Sequence, residues 1–234
     1  MSFNKNIVLS FYNEIEQDKY HRYKSWEHCF KVFQKETNTD TLALHLAFYL
    51  ASWGMYRGSS GLLQKDYKVH IPAVEIILHS KYNTIRCFNN ETDISSKDIP
   101  LVLELKEELL EYYKSIKFIR QGKCFSVTPT DTLLTKIMLG TTGSIPAYDR
   151  FFNLGLSKYK ICKKFNEESL YQMFEFIEQD NNRESINQLQ KEITNKNLYY
   201  PTMKLLDMFF WSVGYVIDIQ KKNKKIKIVE GEVL

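Results

Sequence analysis

Metal-ligand spacing is missing from this chain. Its four cysteines, Cys29, Cys87, Cys124 and Cys162, stand far apart with no C-x-x-C pair, which argues against zinc and iron–sulfur sites. The five histidines, His21, His28, His45, His70 and His79, form no H-x-x-x-H or H-E-x-x-H pattern. No G-x-S-x-G elbow, phosphate-binding loop or dinucleotide fingerprint occurs. No metal or cofactor is therefore expected. Cys124 lacks a histidine partner in sequence and reads as a buried structural thiol. Only 9 glycines and 5 prolines punctuate 234 residues, so loops should be few. No apolar run approaches the length of a membrane span. The opening Met-Ser-Phe-Asn-Lys has no signal-type apolar core. A cytoplasmic protein with reduced thiols and no membrane partner is the expectation.

The composition is otherwise that of a globular protein, with 44% hydrophobic and 26% charged residues. Aromatics reach 14%, including 15 Tyr and 15 Phe. The net charge of +4 permits a nucleic-acid partner without demanding one. Lys221, Lys222, Lys224, Lys225 and Lys227 cluster late in the chain, as a solvated tail or a phosphate-contacting arm.

Periodicity is helical nearly throughout, which predicts an all-α fold of roughly ten helices. Asp40 or Thr41 opens an apolar, central helix from Leu42 to Tyr56, followed by a small-residue loop ending in Gly58-Ser59-Ser60-Gly61. Pro72 starts a helix through Tyr82, and Pro100 opens an amphipathic one. Residues 83–97 read as a loop and the only candidate linker. Further helices fit 129–140, 145–157, 167–180 and 202–217, with Asn166 as an N-cap and Pro201 at a helix start. Only 225–233 looks strand-like. One helical domain, 1–234, is expected, with sub-lobes at 40–149 and at 1–39 plus 150–234.

The chemistry concentrates in Thr130–Phe152. An apolar helix reaches Gly140, a Gly break follows, and Pro146 opens the next helix with Asp149 in its first turn. A carboxylate there faces the positive end of the helix dipole. It suits a developing cation or an oriented water, or it is a solvent-facing dipole partner. Tyr148, Phe151, Phe152, Trp53, Tyr56 and His45 are candidate pocket walls, with core packing as the alternative. At the end of the central helix, Arg57 suits a phosphate or a gap between bases, and small residues allow a close approach. Asp207, inside the apolar Met203–Trp211 run, needs a buried partner.

This order of elements resembles the helix-hairpin-helix DNA glycosylase superfamily: buried helix, polar loop, hairpin, helix, short turn, then Ile145-Pro146-Ala147-Tyr148-Asp149. The resemblance covers about residues 40–155 in pattern. It implies Asp149 as the catalytic carboxylate, with Arg57, Ser59 and Ser60 on the loop that fills the space of a flipped base. It puts the hairpin near Gly122 to Thr130 and its second helix at Thr132 to Leu139. Lys123, Thr128 and Lys136 become DNA contacts. The family hairpin carries Gly-x-Gly, and here only Gly122 is present. Bifunctional members place a lysine nucleophile roughly eighteen residues before the Asp; here Asp131 stands there and Lys136 lies closer. The implied activity is therefore monofunctional. The chain also resembles a compact bacterial branch acting on phage DNA with bulky modified cytosines, which implies a role in phage defence.

The expected function is hydrolytic removal of a modified or damaged base from double-stranded DNA by a monomer, without cofactor. A non-catalytic helical nucleic-acid-binding module is one rival. A helical scaffold or interaction protein, whose aromatics are all core, is the other.

Overall fold

The computed structural model describes residues 2–57, 60–89, 93–179, 181–194 and 198–231, with no side chain described at 194 or from 224 onward. Its helices are α1 (Lys5–Gln17), α2 (Lys24–Phe33), α3 (Thr39–Ser52), α4 (Ile71–Leu78), α5 (Ile99–Ser115), α6 (Asp131–Thr141), α7 (Arg150–Lys158), α8 (Glu167–Glu178), α9 (Asn182–Thr194) and α10 (Thr202–Gly231). One antiparallel hairpin, β1 (Lys117–Arg120) and β2 (Lys123–Ser126), joins α5 to α6. The fold is all-α. No described helix is long and apolar enough to cross a membrane.

Side-chain caps set several helix starts. Asn38 Oδ1 accepts from Thr41 N at 3.0 Å, Thr130 Oγ1 from Leu133 N at 3.2 Å, and Asn166 Oδ1 from Ser169 N at 3.0 Å. Each such cap is worth about 1 kcal/mol. Pro72 and Pro100 sit in the first turns of α4 and α5, where the missing N–H costs nothing.

Helix α3 stops earlier than its apolar pattern suggests. Met55 N bonds Leu50 O and Gly54 N bonds Ala51 O, both at 2.9 Å. Gly54 has φ +70°, so this is a glycine-closed helix end with the glycine four residues before Gly58. Nor is α3 buried all round. Leu42, Leu46, Tyr49 and Leu50 face the core, while Leu44 and Phe48 are exposed. On its inner face Tyr49 packs against Gly140 of α6, where an added Cβ would come within 2.4 Å of the ring.

Three other expectations change. Residues 225–231 continue α10 and are not a strand. The strands lie instead at 117–126, where Gln121 (φ +50°) and Gly122 (φ +72°) form the two-residue turn that strand twist favours. Cys124, expected to be buried, is exposed on β2. The loop at 83–97 is anchored to the body. Cys87 N bonds Thr142 O at 2.8 Å, and Asp93 Oδ2 accepts from Thr202 N at 2.9 Å and from the Tyr199 hydroxyl at 3.0 Å.

Helices α7 and α10 cross on glycines. A Cβ on Gly155 would lie 2.1 Å from Phe210 O, and one on Gly214 would lie 1.8 Å from Phe151 O. The two backbones touch there, which carries the start of α7 to the side of Trp211.

Candidate functional site

The sharpest departure from the sequence pattern creates the site. Residues 145–148 are not helical, Pro146 is not a first helical residue, and Asp149 is not a turn into α7 but its N-cap. Side chains from two other helices take the backbone groups of this segment. Asp207 Oδ1 on α10 accepts from Ala147 N at 3.0 Å. Thr135 Oγ1 on α6 accepts from Tyr148 N at 2.9 Å, and Thr132 Oγ1 donates to Tyr148 O at 2.8 Å. A buried segment must satisfy these groups somewhere. Here doing so holds it extended. Asp207 thereby finds its partners, the Ala147 amide and the Lys204 ammonium at 2.9 Å.

Asp149 is then fixed on both oxygens. Oδ1 accepts from Phe151 N at 3.0 Å and Phe152 N at 3.1 Å. Oδ2 meets Lys136 Nζ at 3.0 Å. The Lys136 side chain is only 4% exposed and the Asp149 side chain 15%. Lys136 Nζ also lies 4.1 Å from the centre of the Trp53 ring, a cation–π contact. Lys136 is therefore the carboxylate's counter-ion and not a free surface cation awaiting a phosphate.

These residues line a cleft of about 580 Å³, within the range of small-ligand sites. The turn before α2 contributes Arg22 and Tyr23. The end of α3 and its loop give Trp53, Gly54, Met55, Arg57 and Ser60. The segment into α6 gives Thr128, Thr130, Thr132, Leu133 and Lys136, and α7 and α10 give Asp149, Arg150, Phe151 and Trp211. Both sequence ranges, 40–149 and 1–39 plus 150–234, supply walls.

The lining holds four cations, Arg22, Arg57, Lys136 and Arg150, against one carboxylate. Arg150 pairs with Asp218. Arg57 Nε donates to Gly54 O at 2.9 Å, and Arg22 donates to the Tyr23 hydroxyl at 3.0 Å, and neither meets an acid among the described residues. The aromatic wall is continuous. Tyr23 stacks on Trp53 with ring centres 4.5 Å apart and 10° between planes. Trp211 meets Tyr23 and Phe151 edge-on at 5.7 and 5.1 Å.

Of the residues singled out from sequence, Asp149, Lys136, Trp53, Phe151, Arg57, Ser60 and Thr128 meet in this cleft. Four proposed pocket walls do not. Phe152 is fully buried in the core, and Tyr148 is buried with its hydroxyl on Ser169 Oγ. Burial pushes the Tyr148 phenol well up. Tyr56 turns away to His70, its hydroxyl 2.6 Å from Nε2, and desolvation raises its phenol to about 12. His45 is half-buried on α3, away from the lining. Trp53 itself already carries Tyr23 and Lys136, so a base can stack there only if one yields. Lys123 sits on the exposed hairpin outside the lining. Ser59 lies outside the described residues, as do the side chains of Lys224, Lys225 and Lys227.

Sequence reasoning missed Arg22, Tyr23 and Trp211. Their signal was weak: two sit in a short turn, and Trp211 lies within an apolar run that reads as core. Among the described residues, no cluster of three or more His, Cys, Asp or Glu side chains could hold a metal ion. No family model, no curated protein and no solved structure matches this chain, so the cleft's chemistry is argued from its own residues.

Proposed function

We propose that this chain is a monofunctional DNA glycosylase, which hydrolyses the N-glycosidic bond of a flipped modified or damaged base in double-stranded DNA. The observation that carries the reading is Asp149, a carboxylate locked by two backbone N–H groups in a cleft where it is the one acid facing four cations and a wall of aromatic rings. When the C1′–N bond breaks, its electron pair leaves with the base and positive charge builds on the sugar. A preorganised anion stabilises that charge. Water then adds to C1′, and the proton it gives up passes by way of the Asp149 carboxylate to the departed base, so the sugar gains the hydroxyl and the base leaves neutral.

Arg22 and Arg57, with no acidic partner among the described residues, suit the flanking phosphates. The aromatic wall suits an extruded base. In this reading the base displaces Lys136 from the Trp53 face, and the ammonium remains beside the sugar as a cation. Lys136 is engaged by Asp149 and stands 13 residues before it, closer than the family's lysine nucleophile, which supports hydrolysis without a covalent lysine adduct. The resemblance of the Ile145–Asp149 segment and its surroundings to helix-hairpin-helix glycosylases supports the same assignment. A role in phage defence, action as a monomer and a cytoplasmic setting complete the proposal.

The Lys136–Asp149 ion pair also favours a second reading, a nucleic-acid-binding module in which the pair is purely structural. One experiment separates them. Purified protein is incubated with duplexes carrying a panel of modified bases, then treated with alkali or with borohydride. The enzyme reading expects alkali-labile abasic sites and no trapped adduct. A panel without any abasic site leaves the binding module. Efficient trapping contradicts the monofunctional assignment.

A further inference from the structure

A second cavity shares Arg22, Tyr23 and Trp211 with the cleft. It is a groove of about 710 Å³ between α1 and α10, within the size range of small-ligand sites. Its walls are mostly apolar. Phe11 of α1 meets the Tyr23 ring at 5.6 Å, with 25° between planes, and the Trp211 ring at 5.4 Å. On α10 Tyr215 stacks on Trp211, with centres 5.2 Å apart and 11° between planes. Tyr215 and Val216 are nonetheless 44% and 51% exposed. Four rings bound the groove, and part of its apolar wall stands open.

Folding does not account for its polar groups. Ser212, also on the lining, has its Oγ buried with no hydrogen-bond partner. A hydroxyl inside a helix can bond the carbonyl four residues back, as Ser52, Ser157 and Thr141 do here. Ser212 does not, and a buried donor left unused is costly. The charges are lopsided as well. Arg22 and Lys158 line the groove against one acid, Glu14. Neither cation meets an acid among the described residues. His21 Nδ1 accepts from Tyr23 N at 3.3 Å, which leaves Nε2 as the donor of the neutral ring. The groove therefore combines ring faces with several unused donors and a single carboxylate.

We propose that this groove binds an aromatic acid, its flat ring system against Tyr215 and Val216 and its acid group on the donors of the lining. Ring against ring is favourable when offset or edge-on. An anion takes charge-assisted hydrogen bonds from a guanidinium or an ammonium. The site rests on neither base excision nor DNA binding in the cleft.

The probe is anilinonaphthalene sulfonate, titrated by fluorescence into the full chain, and one saturable site per protein is expected. Val216 is half-exposed, and Glu and Lys are both good helix formers, so Val216→Glu and Val216→Lys should fold alike. Glu should weaken the probe about tenfold or more, because like charges are brought together. Lys should hold or tighten it. Equal losses in the two variants mean a site blind to charge and overturn the acid. Ser212→Ala separates ligand from structure. It removes an unpaired hydroxyl, so the thermal midpoint should hold or rise while probe affinity falls about two- to tenfold. A lower midpoint with unchanged affinity makes Ser212 structural and counts against the site. Competition identifies the apolar body: naphthoate should displace the probe at lower concentration than decanoate. Decanoate displacing it first, or no saturable binding at all, overturns the proposal.

Discussion

Asp207→Asn tests how the segment that carries Asp149 is held. Asparagine keeps a carbonyl oxygen for the Ala147 amide but removes the charge facing Lys204. That ammonium is 2.9 Å from Asp207 Oδ2, and the two side chains are 6% and 7% exposed. Its other neighbour is the Trp26 ring, 4.9 Å away. Breaking a buried pair from one side strands a charge and costs about 3–5 kcal/mol. With a urea slope of about 2 kcal/mol per molar, the midpoint should fall by roughly 1.5–2.5 M. Adding Lys204→Met removes the stranded ammonium and should recover most of the loss. Asp207→Ala also deletes the Ala147 bond and should depress excision further, since Asp149 lies two residues on. A loss below about 1 kcal/mol in Asp207→Asn, or no recovery in the double variant, refutes the reasoning.

Gly155→Ala should destabilise by about 1–3 kcal/mol or more, since its methyl meets the Phe210 carbonyl rather than a movable side chain; calorimetry reads this directly. His70 is fully buried between the Tyr56 and Tyr113 hydroxyls, each 2.6 Å from a ring nitrogen, and desolvation lowers its pKa from 6.5 to about 4. The unfolded chain therefore takes the proton first. Stability is full above pH 6.5 and falls by about 1.4 kcal/mol per unit toward pH 4, and denaturation across that window should show this component missing in His70→Gln. Arg57→Ala should slow excision from duplex more than from single-stranded substrate, where no stack needs filling; equal losses reduce Arg57 to a simple phosphate contact.

The Asn166 cap and the helix starts at Pro72 and Pro100 were legible in sequence because they are local. Asn166 bonds an amide three residues away, well inside any window. The need of Asp207 for a partner was legible from its apolar neighbours. The true start of α7 was not. The amides of Ala147 and Tyr148 are taken by side chains 60 and 13 residues distant, so local pattern extended the helix back to Pro146. The resemblance put a hairpin near Gly122 to Thr130; its strands run earlier, at Lys117–Arg120 and Lys123–Ser126 around the Gln121-Gly122 turn. Aromatic residues misled in both directions: Tyr148 and Phe152 are core, whereas Tyr23 and Trp211 wall the cleft.

The central claim is that Asp149 carries base excision. Its most direct test is single-turnover release of a modified base from duplex DNA by wild-type protein and by Asp149→Asn, alongside binding and thermal unfolding of both. Asparagine retains an oxygen for the Phe151 and Phe152 amides, so the fold and DNA binding should persist. The account predicts a loss of release on the order of 100-fold or more. Release at the wild-type rate by a folded Asp149→Asn protein contradicts it.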